Sequence, residues 1–256
     1  MAAHNEQRWQ PEQYRRCAPY VPELGRGVID LLDPRPGDRI LDLGCGDGEL
    51  SMALAAHGCT VVGVDRSEAF VAAARQRGVN ARVADARRLA DAGFAAGSFD
   101  GVFSNAVLHW IREPAPVIAG VRRLLRTGGC FAAEFGGAGN IATVRGALHA
   151  AFERRGLDPA VRDPWYFPTP QAYRALLESG GFTVTGMTLF DRPTPIPGTL
   201  AEWLQLFGAA WLADLDRATR TAIVAEVSAA AAPRLRAAGG AWTVDYVRLR
   251  VRAVAG

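Results

Sequence analysis

Short apolar segments alternate with amphipathic helical segments along the chain from about residue 39. Brief runs rich in Val, Ile, Leu and Phe are typical of strands that are buried on both faces of a sheet. Such strands are predicted at 39–43, 60–65, 81–84, 99–104 and 130–135. Because helical segments separate these strands, the pattern predicts a parallel sheet with helices packed on its faces.

The helices between the strands are bounded by residues that favour helix termini. Ser67 can cap one helix, and Pro114 suits the first turn of another. The helix that begins at Pro114 is expected to run to about Leu125 and to be ended by Gly128 and Gly129.

The pattern is less regular after residue 135, which indicates inserted helical segments. Residues 199–202 form a capping box, and the helix that follows is expected to carry Trp203, Phe207 and Trp211 on one face. Two further strands are predicted at 183–190 and 242–254. The sheet is therefore expected to contain seven strands.

Composition and charge narrow the classes of function. The chain has 256 residues, of which 49% are apolar, enough to bury a sizeable core in one domain. Its net charge of +3 is too small to indicate a nucleic-acid surface. The 4 cysteines lie far apart and no metal-ligand spacing is visible, so no metal site is predicted and a reducing cytoplasm is favoured. No apolar stretch suits a signal peptide or a membrane span, so no membrane partner is expected.

A glycine-rich loop, Gly44-Cys45-Gly46-Asp47-Gly48, follows the first predicted strand. Glycines at the carboxyl end of such a strand let backbone amides approach a nucleotide-type ligand. The pyrophosphate of a dinucleotide would be repelled by Asp42, Asp47 and Glu49. S-adenosylmethionine has no phosphate and carries a sulfonium and an ammonium, so this acidic loop suits it better than NAD.

Two more carboxylates follow the next strands. Asp65 ends the second strand about 20 residues beyond the glycines, where a carboxylate can accept hydrogen bonds from ribose hydroxyls. Asp85 follows the third strand, where it could bind an adenine amino group while Ala86 offers its backbone amide. A single Asp of this kind is more often a cap or turn residue than a ligand. Together with Asp42, however, Asp65 and Asp85 place an aspartate at three successive strands, which favours a binding site.

These segments resemble the class I S-adenosylmethionine-dependent methyltransferases. Residues 42–48 resemble the first motif of that family, Asp65 its ribose-binding position and Asp85 its adenine-binding position. Residues 99–110 resemble the fourth motif, most closely as it stands in trans-aconitate methyltransferases, whereas residues 134–140 depart from those enzymes. The resemblance covers residues 34–135 well and the rest of the chain weakly.

The resemblance implies an α/β fold, with a Rossmann-like, doubly wound, mostly parallel seven-stranded sheet and inserted helical cap segments. It also implies that S-adenosylmethionine is the cofactor and S-adenosylhomocysteine the product. One domain, 1–256, is predicted, with an N-terminal helical cap segment 1–33, a cofactor-binding core 34–135, an inserted cap and sixth strand 136–240 and a final strand 241–256. The cofactor is expected to contact Asp42, Gly44, Cys45, Gly46, Gly48, Asp65, Arg66, Asp85, Ala86, Asn105, Ala106 and His109.

Methyl transfer is a direct displacement, so placement of the nucleophile and exclusion of water can supply most of the catalysis. A general base is therefore optional. His109 follows the fourth strand, close to the expected position of the methyl group, and is the candidate catalytic residue that takes the proton of the acceptor or orients it. The alternative is a histidine that only lines the pocket or binds backbone.

The acceptor is predicted to be a small molecule, with O-methylation of an acid or a hydroxyl favoured. The segments before the first strand and after the fifth are expected to cover its pocket. The aromatic candidates for this pocket are Tyr14, Tyr20, Trp110, Trp165, Tyr166 and Trp203, each of which could instead pack in the core.

Other functions stay open on the sequence. Residues 105–108 lack the Pro-Pro-aromatic motif of base-modifying methyltransferases, which counts against nucleic acid but not against every macromolecular acceptor. A protein that binds the cofactor without turnover is a further alternative, because fold does not determine activity. An NAD-dependent oxidoreductase is disfavoured by the acidic loop.

Overall fold

The computed structural model describes residues 9–256, so residues 1–8 of the predicted N-terminal segment 1–33 lie outside the described residues. The strands are β1 Arg39–Leu43, β2 Thr60–Asp65, β3 Asn80–Val83, β4 Phe99–Asn105, β5 Leu125–Gly136, β6 Phe182–Ile196 and β7 Trp242–Ala255. The helices are α1 Pro11–Cys17, α2 Tyr20–Leu32, α3 Glu49–Ala56, α4 Glu68–Gln76, α5 Pro114–Leu124, α6 Ala142–Glu153, α7 Pro159–Arg162, α8 Pro170–Ser179, α9 Leu200–Phe207, α10 Ala209–Leu212 and α11 Arg217–Leu235. Short 3-10 helices cover Ala86–Ala92 and Leu108–Trp110.

The strands form one seven-stranded sheet in the order β3-β2-β1-β4-β5-β7-β6. The neighbouring pairs from β3 to β5 are parallel, and β7 runs antiparallel to β5. This confirms the predicted α/β fold with a Rossmann-like, mostly parallel sheet. Strands β2 and β3 are added on one side of β1, and β4 and β5 on the other. The order of strand addition therefore reverses between β1 and β4. Ligands of such folds bind at the carboxyl ends of the strands beside this switch point.

Alternate residues of the central strands pack on opposite faces of the sheet. In β1, Leu41 belongs to one buried cluster and Ile40 to another. In β4, Val102 and Phe103 divide in the same way. Both faces are therefore covered, which explains why these strands are almost continuously apolar in the sequence.

The helix that begins at Pro114 ends close to its predicted end at about Leu125, but two other helix predictions are wrong. Helix α5 ends at Leu124, and Leu125 already has extended dihedral angles and begins β5. Gly128 and Gly129 therefore lie inside the strand and do not end the helix. The predicted aromatic helix is also interrupted, because α9 ends before Gly208 and Trp211 lies on α10.

Strand β6 continues six residues beyond its predicted end at 190. This continuation contains Pro193 and Pro195, which cannot donate backbone hydrogen bonds. Since β6 lies at the edge of the sheet, it can include prolines whose missing N–H groups face away from the neighbouring strand.

The chain divides into two compact units. One consists of Tyr20–Ala138, Tyr166–Phe190 and Arg248–Gly256, and holds the β/α core. Of the described residues, the other contains 9–19, Gly139–Trp165 and Asp191–Val247. The single domain predicted from the sequence stays a prediction. None of the helices formed by residues 9–256 has both the length and the apolar composition of a transmembrane span.

Candidate active site

The loop between β1 and α3 depends on glycine at three alternating positions. Gly44, Gly46 and Gly48 all have positive φ, between 54° and 84°. At Gly44, an added Cβ would lie 2.2 Å from Cγ2 of Val107, so the loop also needs glycine for the close approach of the β4 end. At Gly46, an added Cβ would meet no heavy atom of the described chain within 4 Å. At Gly48, an added Cβ would lie 2.8 Å from Cγ2 of Val79, so the loop is closely packed at both ends and open in its middle.

Asp42 precedes this loop and is buried, with 2% of its surface exposed. The Oγ of Ser51, in the first turn of α3, donates a hydrogen bond of 2.5 Å to its carboxylate. Burial raises the pKa of Asp42 from 3.8 to about 7, the bond from Ser51 opposes this rise, and the charge of Asp65 adds to it. This buried hydrogen bond thus connects the end of β1, just before the loop, to helix α3, just after it.

Asp65, at the end of β2, holds the glycine loop through backbone hydrogen bonds. It accepts from the N–H of Gly46 at 3.1 Å and from the N–H of Ser67 at 2.8 Å. Removal of the carboxyl from water raises its pKa, while these bonds and the charge of Arg66 lower it. The structure thus brings Gly46 and Asp65, which are 19 residues apart in sequence, within hydrogen-bond distance, and their contact with the cofactor stays a prediction.

The loop lies in a negative field. Burial raises the pKa of the Cys45 thiol most, and the charges of Asp42, Asp65 and Asp47 raise it further. A field that disfavours a thiolate also disfavours a pyrophosphate and favours a cation.

Asp85 follows β3 and caps the 3-10 helix that begins at Ala86. Its carboxylate accepts from the N–H of Arg87 at 2.9 Å and pairs with the guanidinium of the same residue. The Arg87 side chain is the main cause that lowers the pKa of Asp85. Capping is thus an observed role of Asp85, and its contact with adenine stays a prediction, as does that of Ala86.

The end of β4 carries Asn105 and Ala106. The Nδ2 of Asn105 donates to the carbonyl of Val21 in α2 at 3.3 Å. Ala106 has a φ of +59°, and its N–H donates to the carbonyl of Glu134 in β5 at 2.8 Å. A left-handed non-glycine residue costs conformational energy and is concentrated at functional sites. The chain therefore leaves the sheet here in a strained turn that directs the residues up to His109.

His109 is buried and fixed at two points. Its Nδ1 accepts a hydrogen bond of 3.2 Å from the N–H of Gly136 at the end of β5, and its carbonyl accepts from the N–H of Tyr166 at 2.9 Å. The imidazole centroid lies 5.3 Å from that of Trp110 and 6.1 Å from that of Phe167. Burial, and secondly the charge of Arg248, hold the pKa of His109 well below 6.5. The imidazole is therefore neutral at physiological pH.

A buried ion-pair cluster beside this position was not predicted from the sequence. Glu134 in β5 is 1% exposed and pairs with Arg248 at 3.3 Å and with Arg250 at 2.6 Å, both in β7. In the antiparallel register, Arg250 lies opposite Glu134 and Arg248 opposite Gly136. A charged residue within the apolar segment of β5 was the available signal, since a buried charge requires a partner.

Three of the six aromatic candidates for the acceptor pocket, Tyr14, Trp165 and Trp203, lie in the unit that contains Gly139–Trp165 and Asp191–Val247. Tyr14 and Trp203 both contact Phe207, at centroid distances of 6.3 and 5.0 Å. The Nε1 of Trp203 donates to the hydroxyl of Tyr246 at 2.7 Å. Trp165 is 5% exposed and lies 5.9 Å from Trp211, in the interior of this unit.

The other three candidates belong to the unit that holds the β/α core. Tyr20 begins helix α2, Trp110 adjoins His109, and Tyr166 donates its backbone N–H to His109. The structure thus brings Trp110 and Tyr166 to the end of β4. The assignment of all six aromatic residues to an acceptor pocket stays a prediction.

Comparison with known proteins decides the family. Residues 41–133 match a family model described as a methyltransferase domain. An uncharacterized methyltransferase of Schizosaccharomyces pombe is 39% identical over 79% of this chain and 81% of its own length. The chain belongs to the class I S-adenosylmethionine-dependent methyltransferases.

Two further comparisons extend this result. A trans-aconitate 2-methyltransferase of Deinococcus radiodurans is 30% identical to this methyltransferase over 82% of the chain and 72% of the relative. The structure of phosphoethanolamine N-methyltransferase 2 from Haemonchus contortus with S-adenosyl-L-methionine superposes with a TM-score of 0.56 at 20% identity, covering 91% of this chain and 52% of that one. The latter likeness concerns the fold alone.

S-adenosylmethionine is the cofactor of this methyltransferase, as the sequence predicted. The described residues fit that cofactor: the glycine loop is open at Gly46, and Asp42, Asp47 and Asp65 create a negative field that suits a cation. When bound, the cofactor supplies an electrophilic methyl group.

Proposed function

We propose that this methyltransferase transfers a methyl group to an oxygen atom of a small-molecule acceptor, either an acid or a hydroxyl compound, in the cytoplasm. The observation that carries the proposal is the negative field around an open glycine loop, whose Gly44 lies against Val107, two residues before the buried His109. Four free cysteines agree with a reducing compartment. The similarity to trans-aconitate 2-methyltransferases supports an organic acid among the acceptors.

The cofactor is proposed to lie along the carboxyl ends of β1, β2 and β4. The backbone at Gly44, Gly46 and Gly48 would lie close to its amino-acid part because these residues lack a Cβ, although their N–H groups already bond to Val64, Asp65 and Cys45. Asp65 would accept from the ribose hydroxyls. The remaining predicted contacts are Asp42, Cys45, Arg66, Asp85, Ala86, Asn105, Ala106 and His109. In this arrangement His109 would be close to the transferred methyl group.

Calorimetry with S-adenosylhomocysteine and NAD tests the cofactor site. The wild-type protein should bind S-adenosylhomocysteine more tightly than NAD. Asp65→Ala should weaken that binding by about 1 to 3 kcal/mol, because it removes hydrogen bonds to a charged acceptor. Asp91→Ala is the matched control, since Asp91 is exposed and pairs with Arg88 on the surface. Equal losses in the two variants would refute the assigned role of Asp65.

A turnover screen tests the acceptor class. Carboxylic acids, alcohols, phenols and amines are incubated with the protein and S-adenosylmethionine, and methylated products are identified by mass spectrometry. A methyl ester or methyl ether supports the proposal. Cofactor binding without product from any class would instead favour a cofactor-binding protein that lacks turnover.

A further inference from the structure

We propose that His109 serves methyl transfer as a fixed hydrogen-bond donor through Nε2–H, and that the acceptor is a carboxylate that enters the site already ionised. This inference deepens the proposed function and depends on it for the position of the acceptor. It selects the acid from the two oxygen acceptors that the proposed function admits, and it assigns His109 a positioning role in place of the general-base role.

The hydrogen bond to Gly136 determines which nitrogen of His109 carries the proton. A backbone N–H can only donate, so the Nδ1 that lies 3.2 Å from it must present its lone pair. A neutral imidazole has one proton, which must then be on Nε2. The backbone N–H of Tyr166 donates to the carbonyl of His109, so the backbone of His109 is fixed as well as its ring. The ring is therefore held in one tautomer.

This tautomer cannot take a proton from the acceptor. Nε2 already carries a proton, and the lone pair of Nδ1 is bound by Gly136. Protonation would place an Nδ1–H group against the N–H of Gly136 and remove that bond. Burial and the charge of Arg248 both disfavour an imidazolium, which is why the pKa of His109 is lowered.

The titratable groups next to His109 do not replace it as a base. Arg248, on β7 opposite Gly136, is a cation. Burial raises the pKa of the Tyr166 phenol, so that group keeps its proton at neutral pH. The carboxylate oxygens of Glu134 are already bound by Arg248 and Arg250, so they are not directed at the acceptor as a base.

A carboxylate acceptor needs no base. Carboxyl groups have pKa values of about 4, whereas phenols and ammonium groups have values of about 10. At pH 7 the acid has therefore already released its proton, while a phenol is still neutral and an amine is still protonated as an ammonium. In the transfer step the carboxylate oxygen forms a bond to the methyl carbon while the carbon–sulfur bond breaks and its electron pair stays on sulfur. An anion and a sulfonium thus become a neutral ester and a neutral thioether, and no proton moves. The positive charge of Arg248, which already acts on His109, favours such an anion.

Nitrogen NMR of the ¹⁵N-histidine-labelled full chain tests the state of His109 without any acceptor. The chain contains 4 histidines, and His109→Gln identifies the signals of interest. We expect the Nε2–H tautomer with no titration between pH 5.5 and pH 9, with or without S-adenosylhomocysteine. An Nδ1–H tautomer, or a titration midpoint near pH 7, would overturn the proposal.

Matched acceptors test the substrate class. Acids, primary alcohols, phenols and amines that share one carbon skeleton are compared, with kcat/KM measured from pH 6 to pH 9. The expected products are methyl esters alone at every pH in this range, because neither the acid nor His109 changes protonation there. Methylation of the alcohol, phenol or amine at a rate comparable with the acid would overturn the inference.

Two variants separate donation from proton transfer. His109→Gln places an amide N–H near the position of Nε2 and should retain kcat within about tenfold, whereas His109→Ala should lose about a hundredfold. A general base would lose activity equally in both variants, which would contradict the donor role. Absence of product from every acceptor class would contradict the proposed function instead, and the nitrogen spectrum would still decide the state of His109.

Discussion

Replacement of Asp42 by Asn should remove a pH dependence of stability that this single carboxyl imposes on the fold. Asp42 is buried, and its pKa rises from 3.8 to about 7 because burial disfavours the charged form. A carboxyl of this kind binds a proton in the folded state at pH values where the unfolded chain has already released it. The free energy of unfolding therefore falls as the pH rises from about 4 to about 7.

The size of this effect follows from the pKa change. Each pKa unit corresponds to 1.36 kcal/mol, so a rise of about three units amounts to about 4 kcal/mol over the whole range. Between pH 5 and pH 8 the expected loss is about 3 kcal/mol. The amide of the Asp42→Asn variant would have no proton to lose and could still bond to Ser51. The stability of Asp42→Asn relative to wild type should therefore increase by about 3 kcal/mol from pH 5 to pH 8.

Urea unfolding followed by tryptophan fluorescence at pH 5, 6, 7 and 8 measures this difference. Asp91→Asn is the matched control, because it removes the same charge from an exposed position and should parallel wild type. Ser51→Ala should extend the decline to higher pH, since the Ser51 hydroxyl lowers the pKa of Asp42. Parallel curves for wild type and Asp42→Asn would show that Asp42 titrates as an ordinary exposed carboxyl, and would refute the reasoning.

Two further substitutions test the packing and the charges around the site, with urea unfolding as the measurement. Gly44→Ala should destabilise the fold by about 1 to 3 kcal/mol more than Gly37→Ala, because both have positive φ but only the first directs a Cβ into Val107; equal losses would contradict this. Glu134→Gln should cost about 3 kcal/mol or more, because the buried guanidinium of Arg248 and the half-buried guanidinium of Arg250 lose a buried anion. Glu226→Gln, which removes a more exposed carboxylate that also binds two arginines, should cost less than about 1 kcal/mol, and a similar cost for both would refute the argument.

The central strands could be predicted from the sequence because their signals are local. The bounds of β1 and β2 agree with the prediction, and the capping box at Thr199 forms as expected. In each case a run of apolar residues, a terminal Asp or a capping hydroxyl determines the boundary within a few residues. The parallel arrangement then follows from the alternation of strands and helices.

The wrong boundaries depend on distant residues. Glycine commonly ends a helix, but Gly128 and Gly129 lie in β5, which pairs with β4. Proline disfavours a strand, but Pro193 and Pro195 lie on an edge strand. A position in the sheet cannot be derived from neighbouring residues, so these local rules do not determine the boundaries.

The site shows the same division between local and distant information. Motif spacing identified Gly46 and Asp65, which the structure brings within hydrogen-bond distance. It did not show that Glu134 binds two arginines more than a hundred residues away, nor that Gly136 donates to His109. A sequence identifies a histidine near the reaction, but the tautomer of that histidine depends on which backbone group the fold places against each nitrogen.

Charges of opposite sign lie at two positions along the carboxyl ends of the strands. Around β1 and β2, Asp42 and Asp65 make the glycine loop negative, while on β7 the positive charge of Arg248 acts on His109. The first field suits the cationic cofactor, and the second would favour the anionic acceptor that we propose. Because methyl transfer from a sulfonium to a carboxylate neutralises both reactants, each product interacts less strongly with its field than the reactant did. The same charges that attract the reactants would therefore also favour release of the neutral products. A hydroxyl acceptor is neutral before and after methylation, so its release would not be favoured in this way.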